Sequence, residues 1–74
     1  MTFPIGWGTN VAFVRHLDQG GFYQIDNSGG KWYWTYFAPN GSSLRSVSYV
    51  LLEDATTEAD ADRKKNNRGP WKED

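Results

Sequence analysis

Apolar and polar residues alternate most clearly in the middle of the chain, where turn-forming residues cut the pattern into short runs. The longest and most aromatic run is Lys31 to Ala38, Lys-Trp-Tyr-Trp-Thr-Tyr-Phe-Ala. Successive side chains of a strand point to opposite faces. Trp32, Trp34 and Tyr36 therefore share one face, and Lys31, Tyr33, Thr35 and Phe37 share the other. Both faces are aromatic, so this strand either lies between two layers or leaves one aromatic face open. Asp26-Asn27-Ser28-Gly29-Gly30 precedes it and Pro39-Asn40-Gly41 follows it, and both segments favour chain reversal.

The same pattern predicts strands over Val11 to His16, Phe22 to Asp26 and Leu44 to Leu52, with Asp18-Gln19-Gly20-Gly21 turning the first into the second. No connection is long enough for a parallel crossover, which needs a dozen or more residues, so the strands form an antiparallel meander. From Asp54 the pattern changes. Thr57 with Asp60 three residues on, acids early and Arg63, Lys64 and Lys65 late read as a helix. Asn66-Asn67 and Gly69-Pro70 would end it. Its apolar positions are only Ala55, Ala59 and Ala61, so the segment is expected as a frayed helix or, without packing, as disorder. Lys64 to Asp74 is expected to be disordered, being polar apart from Trp71.

The fold class that follows is α+β, mainly β: an antiparallel meander of three to four strands with a weak C-terminal helix and a disordered tail. Residues 1–10 form an extended arm, residues 11–62 a single small domain, and residues 63–74 a basic flexible tail. In the arm, Phe3, Ile5 and Trp7 alternate among Pro4, Gly6 and Gly8, so they either cover one end of the core or offer a partner an apolar contact.

At 74 residues the chain buries a modest share of its surface, and four Trp, four Tyr and four Phe supply the bulk that compensates. It has no cysteine, which excludes disulfides and thiolate metal sites and favours a cytoplasmic setting. No signal peptide or membrane-spanning run is readable. Charge is lopsided: residues 1–62 carry −4 and residues 63–74 carry +3.

Catalysis is not expected. His16 is the only histidine, so neither a Cys/His pair nor a zinc site can form, and Ser46 and Ser48 have no other imidazole to call on. No cofactor or metal is implied. Two binding readings remain. In the preferred one the chain binds a protein: Trp, Tyr and Arg dominate interface hot spots, and Phe3, Ile5, Trp7, Trp32, Trp34, Tyr36, Arg63, Lys64, Lys65, Arg68 and Trp71 are the contact candidates. Trp71 either folds back on the body or anchors the partner. In the alternative, Trp32, Trp34 and Tyr36 stack on the bases of a single-stranded nucleic acid, against which stands the single lysine beside that strand.

The segments Phe22-Tyr23-Gln24-Ile25-Asp26, Gly30-Lys31-Trp32-Tyr33-Trp34 and Ala38-Pro39-Asn40-Gly41, with Tyr49, resemble the small bacterial YegP-like domains over residues 22–62. That resemblance implies an α+β fold, and the family has no established function. The chain departs from it in the lack of bulky apolar residues on the helix and in an N-terminal stretch without counterpart. In size and character the chain also looks like the small inhibitors that phages direct at host machinery such as RNA polymerase. The functional expectation is thus a monomeric, cytoplasmic, non-enzymatic regulator of a host protein complex, with RNA polymerase as a candidate partner.

Overall fold

A computed structural model describes residues 13–73. The N-terminal arm, the first two residues of the first expected strand and Asp74 lie outside them. Four strands, β1 (Phe13–His16), β2 (Phe22–Ser28), β3 (Lys31–Phe37) and β4 (Ser43–Arg45), form one antiparallel sheet in the order β1-β2-β3-β4, followed by a helix, α1 (Leu52–Lys65). This is the expected meander with its C-terminal helix.

The β2–β3 hairpin fixes the register of the sheet. Ser28 pairs with Lys31, and the two residues between them, Gly29 and Gly30, have φ of 60° and 80°. Positive φ at both central positions is what a tight I′ turn requires, and its twist matches that of the strands. Tyr23 then faces Tyr36, Ile25 faces Trp34 and Asn27 faces Trp32 on one side, while Phe22 faces Phe37 and Asp26 faces Tyr33 on the other.

The first of these faces is the core. Phe13, Leu17, Tyr23, Ile25 and Trp34 are buried together with Ala55 and Ala59 of α1, and Trp32, Tyr36, Tyr49, Leu52 and Trp71 pack around them. The two alanines, four residues apart, lie on one side of the helix. Their small side chains let the helix axis approach a layer of large rings. This settles why a helix with so little apolar content is ordered: the sheet supplies the bulk. The indole N–H of Trp34 is buried there without a partner. We call the opposite side of the sheet, with Val14, Phe22, Gln24, Asp26, Tyr33, Thr35, Phe37 and Arg45, the outer face.

Three expectations change. The fourth strand is not continuous to Leu52. The β3–β4 register would bring Ser48 opposite Trp32, but Tyr49 stands there, exchanging two backbone hydrogen bonds of 2.8 Å with Trp32. One extra residue is therefore accommodated between Arg45 and Tyr49, a bulge. Its effect is to turn Tyr49 from the outer face onto the core face. Ser46 secures the break, its hydroxyl accepting from Trp34 N–H at 2.9 Å while its own N–H donates to Trp34 O at 2.8 Å.

The helix starts at Leu52, several residues before the expected Thr57 cap. Leu51 occupies the N-cap without a side-chain hydrogen bond, so the start is set by the chain leaving β3 at Tyr49 rather than by a capping side chain. Its end is as expected. Asn67 takes a left-handed φ of 52°, Arg68 N–H donates to Arg63 O and Asn67 N–H to Lys64 O, which satisfies the terminal carbonyls in a Schellman arrangement.

The tail is not disordered. Trp71 pairs with Leu17 in an antiparallel bridge, Asp18 N–H donates to Pro70 O at 3.0 Å and Lys72 N–H donates to His16 O at 2.9 Å. The polar composition of Lys64 to Asp74 suggested disorder because it does not reveal partners elsewhere in the fold. Arg63, Arg68 and Trp71 all have them.

Candidate interaction surface

Four of the contact candidates belong to the fold itself: Trp34 is in the core, and Trp32, Tyr36 and Trp71 pack against it. Trp34 is 7 % exposed and tilts against Tyr23 at 5.7 Å. Trp32 stacks on Phe13 at 6.2 Å, and Tyr36 lies between Tyr23, at 5.1 Å, and the guanidinium of Arg68, at 3.8 Å. The face suggested for base stacking is thus the one that α1 covers. Phe3, Ile5 and Trp7 lie outside the described residues.

The basic tail is equally committed. Asp60 Oδ1 accepts from Trp71 Nε1 at 2.9 Å and from Arg63 Nε and Nη2 at 3.1 and 2.8 Å, and Asp60 Oδ2 lies 3.2 Å from Lys64 Nζ. The ring of Trp71 lies between two guanidiniums, Arg15 at 4.6 Å and Arg63 at 5.1 Å. Burial works to raise the pKa of Asp60, but hydrogen bonds from Arg63, Trp71 and Lys64 outweigh it and hold the carboxyl below its ordinary value. Further along, Arg68 Nε meets Asp62 Oδ2 at 3.3 Å, and the same oxygen accepts from the Tyr23 hydroxyl at 2.6 Å. Burial first, then the bond to and charge of Asp62, push the Tyr23 pKa well above its ordinary value. The acidic body and basic tail noted in the sequence neutralise each other at this seam. Lys64, Lys65 and Lys72 remain exposed as a sparse set, too thin for a phosphate-tracking surface.

What the sequence reading missed is the stretch after β3. Leu44, Val47, Val50 and Leu51 are 49, 72, 69 and 51 % exposed, the large apolar side chains most open to water among the described residues. The bulge spends the inward positions on Ser46 and Tyr49 and leaves Val47 and Val50 exposed. β4 beside them is an edge strand, with no described strand on its far side. An unprotected edge next to exposed apolar residues is a feature folded proteins usually avoid unless it is used. The signal available in the sequence was the length of the apolar run from Val47 to Leu52, which is more than one strand face can bury.

A shallow groove of about 310 Å³ lies between Asp18, Pro70, Trp71 and Glu73. Among the described residues no group of three or more His, Cys, Asp and Glu is placed to hold a metal ion, and no helix is long and apolar enough to cross a membrane. Comparison of the chain with protein-family models, curated proteins and solved structures finds no match.

Proposed function

We propose that this chain is a small non-enzymatic protein-binding regulator that works in the cytoplasm as a monomer, by occupying a surface of a larger complex. The observation that carries this reading is the exposed apolar stretch Leu44, Val47, Val50 and Leu51 at β4, the edge strand among the described residues. Burying one such side chain is worth about 1.5 to 3 kcal/mol, so a partner covering several of them gains enough for a specific contact. Arg45 adds a half-exposed guanidinium at the same edge.

Nucleic-acid binding is the weaker reading. Trp34 is buried, Trp32 and Tyr36 are packed into the core, and Arg63 and Arg68 are held by Asp60 and Asp62. Host RNA polymerase is the first target to test, a choice resting on the likeness in size and character to phage inhibitors. Kinship with YegP-like domains rests on the strand–turn–strand segment from Phe22 to Phe37 and the Asn40-Gly41 turn, after which this chain places a further short strand, β4, before the helix. Affinity capture from a nuclease-treated bacterial lysate, followed by binding of purified RNA polymerase, tests the proposal. A stoichiometric protein retained after nuclease treatment supports it, and recovery of nucleic acid alone, or of nothing, overturns it.

A further inference from the structure

The turn from β3 to β4 is built on a chemically labile pair. Gly41 has a φ of 94°, its N–H donates to Ala38 O at 3.0 Å, and Ala38 N–H donates to Ser42 O at 2.8 Å. This is a three-residue hairpin loop closed by a left-handed glycine. Before that glycine stands Asn40, the only asparagine of the chain that glycine follows. An asparagine carboxamide is open to attack by the next backbone nitrogen, and glycine, without a Cβ, hinders the approach least. Asn40, Gly41 and Ser42 are exposed, and a Cβ on Gly41 would meet nothing within 4 Å, so neither water nor space is lacking. What holds the pair inert is hydrogen bonding. Asn40 Oδ1 accepts from Ser42 N–H at 3.0 Å and from the Ser42 hydroxyl at 2.8 Å, which ties the carboxamide to Ser42. The Gly41 nitrogen must lose its proton to attack, and that proton is held by Ala38 O. Pro39 braces the loop against the β1–β2 turn, where a Cβ on Gly20 would come 3.1 Å from Pro39 Cγ.

We propose that Asn40 is a deamidation site gated by this turn: closed, the turn preserves the amide, and opened, it lets the amide convert. In the converting step the Gly41 nitrogen gives its proton to solvent and bonds to Asn40 Cγ. The Cγ–Nδ2 bond breaks, and Nδ2 takes up a proton and leaves as ammonia, which closes a five-membered cyclic imide. Water then opens the ring at one of two bonds. Opening at Cγ restores the main chain and leaves an aspartate. Opening at the Asn40 backbone carbonyl leaves an isoaspartate, whose main chain runs through Cβ and Cγ. Attack requires the reacting atoms to be aligned within about 3 to 3.5 Å, so the Ala38 bond and the Ser42 bonds must be released together, a local opening of the hairpin end. The two products differ for the fold. Aspartate keeps an acceptor oxygen for Ser42, whereas isoaspartate lengthens by one atom a loop whose ends are tied at 2.8 Å, and so works to detach β4. The site is independent of any partner. Conversion would nonetheless alter the strand that leads into the exposed stretch from Leu44 to Leu51.

The test is incubation of the full-length chain at neutral pH, folded in buffer and unfolded in guanidinium chloride, with peptide mapping by mass spectrometry over time. Mapping reads each amide exchanged for an acid, and chromatographic retention separates aspartate from isoaspartate. In the unfolded chain Asn40 is expected to convert before Asn27, Asn66 and Asn67. In the folded chain its conversion should be at least about tenfold slower. Ser42→Ala removes the hydroxyl donor and keeps the backbone one. Folded, this variant should convert several-fold faster than wild type, and in guanidinium chloride at the wild-type rate. Equal rates in folded and unfolded wild type, or a folded Ser42→Ala that converts no faster than folded wild type, overturn the gating. Conversion of the unfolded chain confined to other asparagines overturns the site.

Discussion

The hydroxyl of Tyr23, near the start of β2, donates to Oδ2 of Asp62, in the last turns of α1, at 2.6 Å. Tyr23 is fully buried, and the oxygen it reaches also meets Arg68. One phenol thus links sheet, helix and tail through a single carboxylate oxygen.

Tyr23→Phe should cost about 1.5 kcal/mol at neutral pH, the usual worth of a hydrogen bond to a charged acceptor. The pH dependence is more telling. The folded pKa of Tyr23 lies above the ordinary 10.0, so its contribution is fully present below that pH and is lost as pH rises toward the folded value. Chemical denaturation followed from neutral to strongly alkaline pH should show wild type losing stability above about pH 10 more steeply than Tyr23→Phe.

Asp60 sets the opposite limb. Its folded pKa is below the ordinary 3.8, so its contribution is present above that pH and fades as pH falls through the folded value. Asp60→Asn should flatten the acid limb of a stability-against-pH curve. It should also speed hydrogen exchange at the Trp71 indole, which loses a charged acceptor, with the tail loosening from β1.

Deleting Ser48 should restore the simple β3–β4 register, and because Tyr49 then takes the position that this register places opposite Trp32, it should stay on the core face. We expect the loss to stay below about 1 kcal/mol, because the half-buried Tyr49 ring keeps its place. Ser48→Ala, which keeps the bulge, should change stability by less than about 0.5 kcal/mol. Equilibrium unfolding of both variants separates the register effect from the side chain.

Gly21 and Gly29 both have positive φ, at 85° and 60°, but a Cβ on Gly21 would meet Phe37 O at 2.8 Å, whereas one on Gly29 meets nothing within 4 Å. Gly29→Ala should therefore cost only the left-handed penalty, about 1 kcal/mol. Gly21→Ala must also displace the β3 backbone and should cost more than about 2 kcal/mol. Thermal melting of the pair checks the difference.

What could be read from the sequence was what neighbours in sequence decide. The Gly29-Gly30 hairpin, the two faces of Lys31 to Phe37 and the helix end at Asn67 are local, and their residue types suffice. The fate of Trp71 is not local: it depends on Asp60, eleven positions earlier, and on Leu17 at the far end of the chain. A count of polar residues in the tail could not include those partners. The exposed valines were hidden for a related reason. Val47 and Val50 read as strand positions until Tyr49, through the bulge, takes the place opposite Trp32. The same non-locality turned the Trp32 face from a candidate platform into core, because the alanines that cover it looked too weak to do so.

The central claim, that the stretch from Leu44 to Leu51 is a protein-binding surface, is tested most directly by Val47→Asp/Val50→Asp. Both positions are largely exposed, so the double variant should keep the wild-type fold and stability to within about 1 kcal/mol. Its affinity for the protein captured by the wild-type chain, measured by interferometry at equal salt, should fall at least tenfold, or about 1.4 kcal/mol. An unchanged affinity in a folded double variant would contradict the account.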